Sequence, residues 1–187
     1  MENSLTPHEI ALLNDRQLQI GNICHQWAAI EYHIALCIWS LLGIDYETGV
    51  ILTGGLTMRP RVNMAVKLAV HLNAPKEAID ALTEIRKTLD GGLEDARNSA
   101  VHAVRFKDAS NPASELVEMH RGRKKGRHPR TNAELRQLGT DIHAAGKTLK
   151  RRLDGAGIYN LPMRKPTAAM ALKTSRTRSP PDSQPGS

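Results

Sequence analysis

At 187 residues the chain is long enough for one domain with its own core and too short for two full ones. Its formal charge of +7 is unevenly placed: residues 120–130 carry six Arg or Lys and no acid, residues 155–187 carry five against the single Asp182, and the remainder holds 15 basic against 18 acidic residues, net −3. Met1-Glu2-Asn3-Ser4 lacks the basic and apolar segments of a secretory signal, and the longest apolar run, Ile34 to Ile44, is about half of a membrane span, so a soluble, cytoplasmic protein with no membrane partner is expected.

Val, Ile and aromatic runs at period two are scarce, whereas Ala and Leu recur at helical spacings. Thr6-Pro7 with Glu9 forms a helix start, with Thr6 as N-cap and Pro7 in the first position. Ile20, Ile23, Trp27, Ile30, Ile34, Cys37 and Leu41 then recur at steps of three and four, one long amphipathic seam. Cys24, Ala28, Glu31, Ala35 and Ile38 form a second seam whose only charge is Glu31. Two seams predict a helix covered on more than one side, ending at Gly43. Cys24 and Cys37 lie about 20 Å apart on such a helix, beyond disulfide reach. They read as small buried hydrophobes in a reducing compartment. No Cys/His spacing suits zinc, and no metal or cofactor is expected.

Asp45 to Leu52 is a short helix broken by Gly54-Gly55, and Thr57 to Asn73 is another, with Met64, Leu68 and Leu72 along one side. Ala74-Pro75 opens a helix whose inner stripe is Ile79, Leu82, Ile85, Leu89, Leu93, Ala96, Ala100 and Ala103. Gly91-Gly92 interrupts it, since each glycine weakens helix propensity by about 1 kcal/mol. Ala103–Phe106 and Leu116–Met119 are short enough in sequence distance to pair as a hairpin. Thr131-Asn132-Ala133-Glu134 resembles a capping box, and Leu135, Leu138, Ile142, Ala145, Leu149 and Leu153 carry a last helix to about Asp154. The expected architecture is all-α: an antiparallel bundle of four to five helices over residues 1–154, with a small hairpin near 103–119 and a basic loop at 120–130. Residues 155–187 are basic and rich in Pro and Ser, and disorder is expected from about Pro162.

Chemistry concentrates at Arg97-Asn98-Ser99-Ala100-Val101-His102. Arginine holds phosphates in a planar fork and histidine moves protons near neutral pH. Spacing alone is unselective: among 16 Arg and 8 His, four pairs have four to six residues between them, namely Arg97/His102, Arg121/His128, Arg123/His128 and Arg136/His143. Context separates them. Asn98 shares a helix face with His102, and Asp95, Asn98, Ser99, His102 and Arg105 form a polar stripe beside the small residues Ala96, Ala100 and Ala103, which permit close helix approach. Arg121, Arg123 and His128 sit in a Gly/Pro-punctuated loop, and in the pair Arg136/His143 no acid or amide stands one helical turn before the histidine as Asn98 stands before His102. A five-residue step turns a helix by about 140°, so a composite site, across helices or across a two-fold axis, suits Arg97 and His102 better than a one-helix site. Glu31 needs a partner because a lone buried carboxylate is costly. Arg97 is one candidate, another arginine or solvent the other. Arg121, Arg123, Lys124, Lys125, Arg127 and Arg130 form either a solvated surface or a phosphate-contacting loop.

Arg97 with four positions before His102, the first of them Asn98, late in a helical bundle, resembles the HEPN superfamily, the higher eukaryotes and prokaryotes nucleotide-binding domain. The long first helix with Trp27-Ala28-Ala29-Ile30-Glu31 also looks like the first helix of its bacterial and phage forms. The resemblance implies a metal-independent endoribonuclease acting as a homodimer on RNA, a toxin or phage-conflict protein with an antitoxin as a further partner. Carried over by position, Arg97 binds the scissile phosphate, His102 is general acid or base, and Asn98 positions one of them, with Glu31, Asp95 and Ser99 in support. The alternative is a non-catalytic dimeric module binding nucleic acid or an acidic protein, with Arg97 paired to Glu94. A helical DNA-binding regulator fits less well, for want of a helix-turn-helix with a basic recognition helix.

Overall fold

In the computed structural model, residues 5–102, 104–106, 117–119 and 131–161 are described. Helix α1 spans Pro7–Leu42. The Thr6 hydroxyl accepts from the Glu9 N–H at 3.2 Å and the Glu9 carboxylate accepts from the Thr6 N–H at 2.7 Å, a capping box that satisfies two orphan donors. Gly43, at φ 62°, ends the helix by donating back to the Ser40 and Trp39 carbonyls. The remaining helices are α2 (Tyr46–Thr53), α3 (Met58–His71), α4 (Lys76–Thr88), α5 (Glu94–His102) and α6 (Asn132–Gly155). A wide turn at Leu89–Leu93 joins α4 to α5, so with that kinked pair taken as one, five helices form the all-α bundle. Val104–Phe106 (β1) and Val117–Met119 (β2) pair antiparallel, Arg105 opposite Glu118. The predicted hairpin is therefore present. The basic loop 120–130 and the tail from 162 lie outside the described residues, as do their phosphate-contacting candidates Arg121, Arg123, Lys124, Lys125, Arg127 and Arg130.

The core is organised around α1, which packs most extensively on α6 and then on α3. Its first predicted seam is the true one: Ile23, Trp27, Ile30, Ile34 and Cys37 are buried. The second is buried only from Ala35 to Ile38, while Ala28 is exposed and Glu31 lies at the edge. Cys24 and Cys37 are free thiols, and burial pushes Cys37 up to about 12, which keeps it an unreactive thiol at neutral pH. On α6, Gly146 faces Ile30 so closely that a Cβ there would sit 2.9 Å from Ile30 Cγ1. A polar rail runs along the same contact: Asp15 accepts from Asn132 Nδ2 and from Arg136 Nη2, each at 2.7 Å, and His143 Nδ1 meets Gln26 Oε1 at 2.9 Å.

One predicted face differs. On α3 the line Met58, Val62, Ala65, Val66 and Ala69 is buried, whereas Met64 and Leu68 are only partly so and Leu72 is exposed. The larger residues drew the prediction, but the small ones bring α3 close against α1. Trp39 seals the end of the bundle, its ring packed on Gly49 of α2 and its Nε1–H donating to Thr53 Oγ1 at 3.1 Å. After α6 a short turn, Ile158–Asn160, lays Tyr159 against His33 of α1 with ring centroids 6.0 Å apart.

A Cβ at Gly49 would fall 2.5 to 2.7 Å from three Trp39 ring atoms, whereas Gly21, mid-helix in α1, has open space. Gly49→Ala should lower the unfolding free energy by about 1–3 kcal/mol, and Gly21→Ala should raise it by about 0.5–1 kcal/mol. Urea denaturation of the two variants would check both signs. Burial, with Lys150 adding to it, holds the His33 imidazole below its ordinary value. Its neutral form is favoured in the fold, so its contribution is complete above the unfolded value of about 6.5 and is lost as pH falls below that toward the folded value. Melting temperature should therefore drop less between about pH 7 and about pH 5 in His33→Phe than in the wild type.

Candidate functional site

The chain reaches α5 through Leu89–Leu93, where Gly92 takes φ 109°, a backbone conformation open to glycine and strained for other residues. This is the predicted interruption. Glu94 and Asp95 then occupy the first turn of α5, where acids complement the helix dipole. Ala100 is fully buried and Ala96 partly so, which seats the predicted small stripe inward and leaves Asp95, Arg97, Asn98 and Ser99 half-buried around it. The helix stops at His102, and Arg105 belongs to β1 instead. Arg105 thus leaves the predicted polar stripe, because Val104-Arg105-Phe106 pairs as a strand. Ala103 lies outside the described residues.

Arg97 is held on two sides. Its guanidinium carbon lies 5.4 Å from the centroid of the Trp27 ring, within the range of a cation–π contact worth about 0.5–2 kcal/mol. Its Nη1 donates to Asn98 Oδ1 at 2.9 Å. Nε is buried without an acceptor, a position that ordinarily costs about 1–3 kcal/mol. The His102 side chain is exposed and has no hydrogen bond or ion pair among the described residues. It lies one turn beyond Asn98 on the same face, and about 7.5 Å along and 140° around from Arg97.

Glu31 does not pair with Arg97. It accepts from Trp27 Nε1–H at 3.2 Å through one oxygen and faces Arg61 Nη1 at 3.7 Å through the other. Arg61 is buried on α3, and its Nη2 donates to the Thr53 and Leu56 carbonyls at 3.0 and 2.8 Å. Glu94 is equally unavailable to Arg97, since Arg59 of α3 engages it. The two carboxylates that sequence reasoning offered to Arg97 are each taken by another arginine, and among the described residues Arg97 has no carboxylate partner. A cation so held, beside an amide and one turn from an exposed imidazole, suits an oxyanion supplied from outside the chain.

The sequence neighbourhood of α6 misled in one respect. Arg136 and His143 do have an acid and an amide beside them, Asp15 and Gln26, but from α1. Both side chains are consumed in joining the two helices. Arg61 and the Arg97–Trp27 contact were missed altogether. The signal for Arg61 was present, a charge beside Met58 and Val62 on a buried face, needing a partner for the same reason as Glu31. Among the described residues no three His, Cys, Asp or Glu side chains gather as a metal-ligand set.

Comparison of the chain with protein-family models, with curated proteins and with solved structures finds no match in any of the three.

Arg61→Ala should lower stability by about 1–3 kcal/mol, because it removes the guanidinium donors from the Thr53 and Leu56 carbonyls and leaves Glu31 with Trp27 alone. Arg59→Ala breaks an exposed pair and should lower it by less than about 1 kcal/mol. Chemical denaturation of the two variants side by side checks the contrast.

Proposed function

We propose that the chain is a metal-independent endoribonuclease of the HEPN type, cytoplasmic, cleaving RNA at a composite site between two copies. The observation that carries the reading is Arg97: fixed on Trp27, bonded to Asn98, without a carboxylate of its own among the described residues, and on the same helix as an exposed His102. Arg97 takes the scissile phosphate and stabilises the charge that builds on it when the ribose 2'-hydroxyl attacks. His102 moves the proton, either from the attacking hydroxyl or to the leaving 5'-oxygen. Asn98, between them on the helix, orients Arg97 by its amide oxygen. The offset of about 140° between Arg97 and His102 on α5 is met by a second copy whose His102 faces the first copy's Arg97. A toxin or phage-conflict role, with an antitoxin as partner, follows from the same resemblance.

Single-stranded RNA should be cut by the wild type in excess EDTA, and DNA of the same sequence should resist because it lacks the nucleophile. Arg97→Ala should reduce cleavage about 10²–10³-fold, and His102→Ala about 10²–10⁴-fold. An inactive wild type, or a His102→Ala variant that cuts as fast as the wild type, rejects the proposal. If the wild type binds RNA in a salt-dependent way without cutting it, the alternative of a non-catalytic module stands instead.

A further inference from the structure

We infer that Trp27 is a positioning residue for Arg97, acting as the last link of a chain of contacts that starts at the backbone end of α2; the inference rests on the ribonuclease reading for its catalytic consequence. The Thr53 and Leu56 carbonyls fix Arg61 by two hydrogen bonds at 3.0 and 2.8 Å. Arg61 holds one Glu31 oxygen at 3.7 Å. The other Glu31 oxygen accepts the Trp27 indole N–H at 3.2 Å. The indole face then carries the Arg97 guanidinium, 5.4 Å from its centroid. Four helices, α1, α2, α3 and α5, contribute to this one line.

Two physical features separate it from ordinary core packing. First, Trp27 is only 3% exposed, so its ring cannot slide, and the plane it offers Arg97 is fixed. A guanidinium lying on a fixed ring loses few rotamers when it meets a planar two-oxygen anion, which is the geometry of a phosphodiester. Second, an anionic acceptor on the indole N–H makes the ring richer in electrons. Glu31 therefore strengthens the attraction between Trp27 and Arg97 without neutralising the Arg97 charge. A carboxylate placed directly on Arg97 would hold it equally well and would compete with the phosphate. The indirect arrangement keeps the cation in place and available.

The test uses Trp27→Leu, which keeps an apolar side chain and removes the ring, and Glu31→Gln, which keeps volume and acceptor and removes the charge. In nitrogen-15 NMR the Arg97 Nε–H resonance, assigned by its absence in Arg97→Lys, should carry a ring-current shift that Trp27→Leu abolishes. Titration with inorganic phosphate should move that resonance in the wild type, with about tenfold weaker binding in Trp27→Leu and about threefold weaker binding in Glu31→Gln. In RNA cleavage, Trp27→Leu should lower kcat about tenfold with little change in KM, and should have no further effect in an Arg97→Lys background. An Arg97 resonance unmoved by Trp27→Leu, or an equal fall in kcat in both backgrounds, overturns the inference. If Trp27→Leu does not fold, Glu31→Gln decides: weaker phosphate binding at Arg97 supports it, unchanged binding rejects it. Should the wild type cut no RNA, the ribonuclease reading fails, while the resonance and the phosphate titration still decide whether Trp27 positions Arg97.

Discussion

A carboxylate at the edge of an apolar helix face must be matched, and the way Glu31 is matched sets much of the surrounding structure. It faces Arg61, buried on α3, and Arg61 in turn donates to the Thr53 carbonyl at the end of α2 and to the Leu56 carbonyl in the turn that follows. It fixes the indole of Trp27, on which α5 rests its arginine. Three helices thus take their local position from one acid on α1. Because each polar group in the line has a partner on a different helix, the arrangement specifies how the helices meet more than it adds to net stability.

Elsewhere the α1 contacts follow a simpler logic. Gly146 lets α6 approach Ile30, and the Asp15, Arg136, Asn132, His143 and Gln26 rail fixes the lengthwise register of the two helices. An apolar seam alone tolerates sliding by a turn, since one Ile resembles the next. Polar pairs anchored at Asp15 and at Gln26 do not. The same need for register explains why a histidine and an arginine at catalytic-looking spacing on α6 turn out to be structural.

What could be read from the chain alone follows from this distinction. The long first helix, its principal seam, the Gly92 break and the capping boxes are legible because each depends on neighbours within a few residues, and the strand pairing because its partners lie within about 15 positions. The α3 core face was misread, since close approach through Ala65 and Ala69 is a property of two helices together. The sequence does not decide among Arg97, another arginine and solvent for Glu31 for the same reason: Arg61 lies 30 positions away, and nothing local joins them. At the candidate site, Asn98 and His102 on one face are legible from helix geometry, whereas the cation–π contact of Arg97 with Trp27 is not, because it depends on where α5 crosses α1.

That crossing depends on the turn at Leu89–Leu93 in a way that concerns direction. Inside it Gly92 takes φ 109° and ψ −1°, outside the helical region, so α4 and α5 meet at a kink and do not share one axis. One backbone torsion, which glycine adopts without strain, thus aims the whole of α5: the course on which α5 leaves α4 decides which of its side chains meet Trp27 and which meet solvent, with no change in the residues themselves.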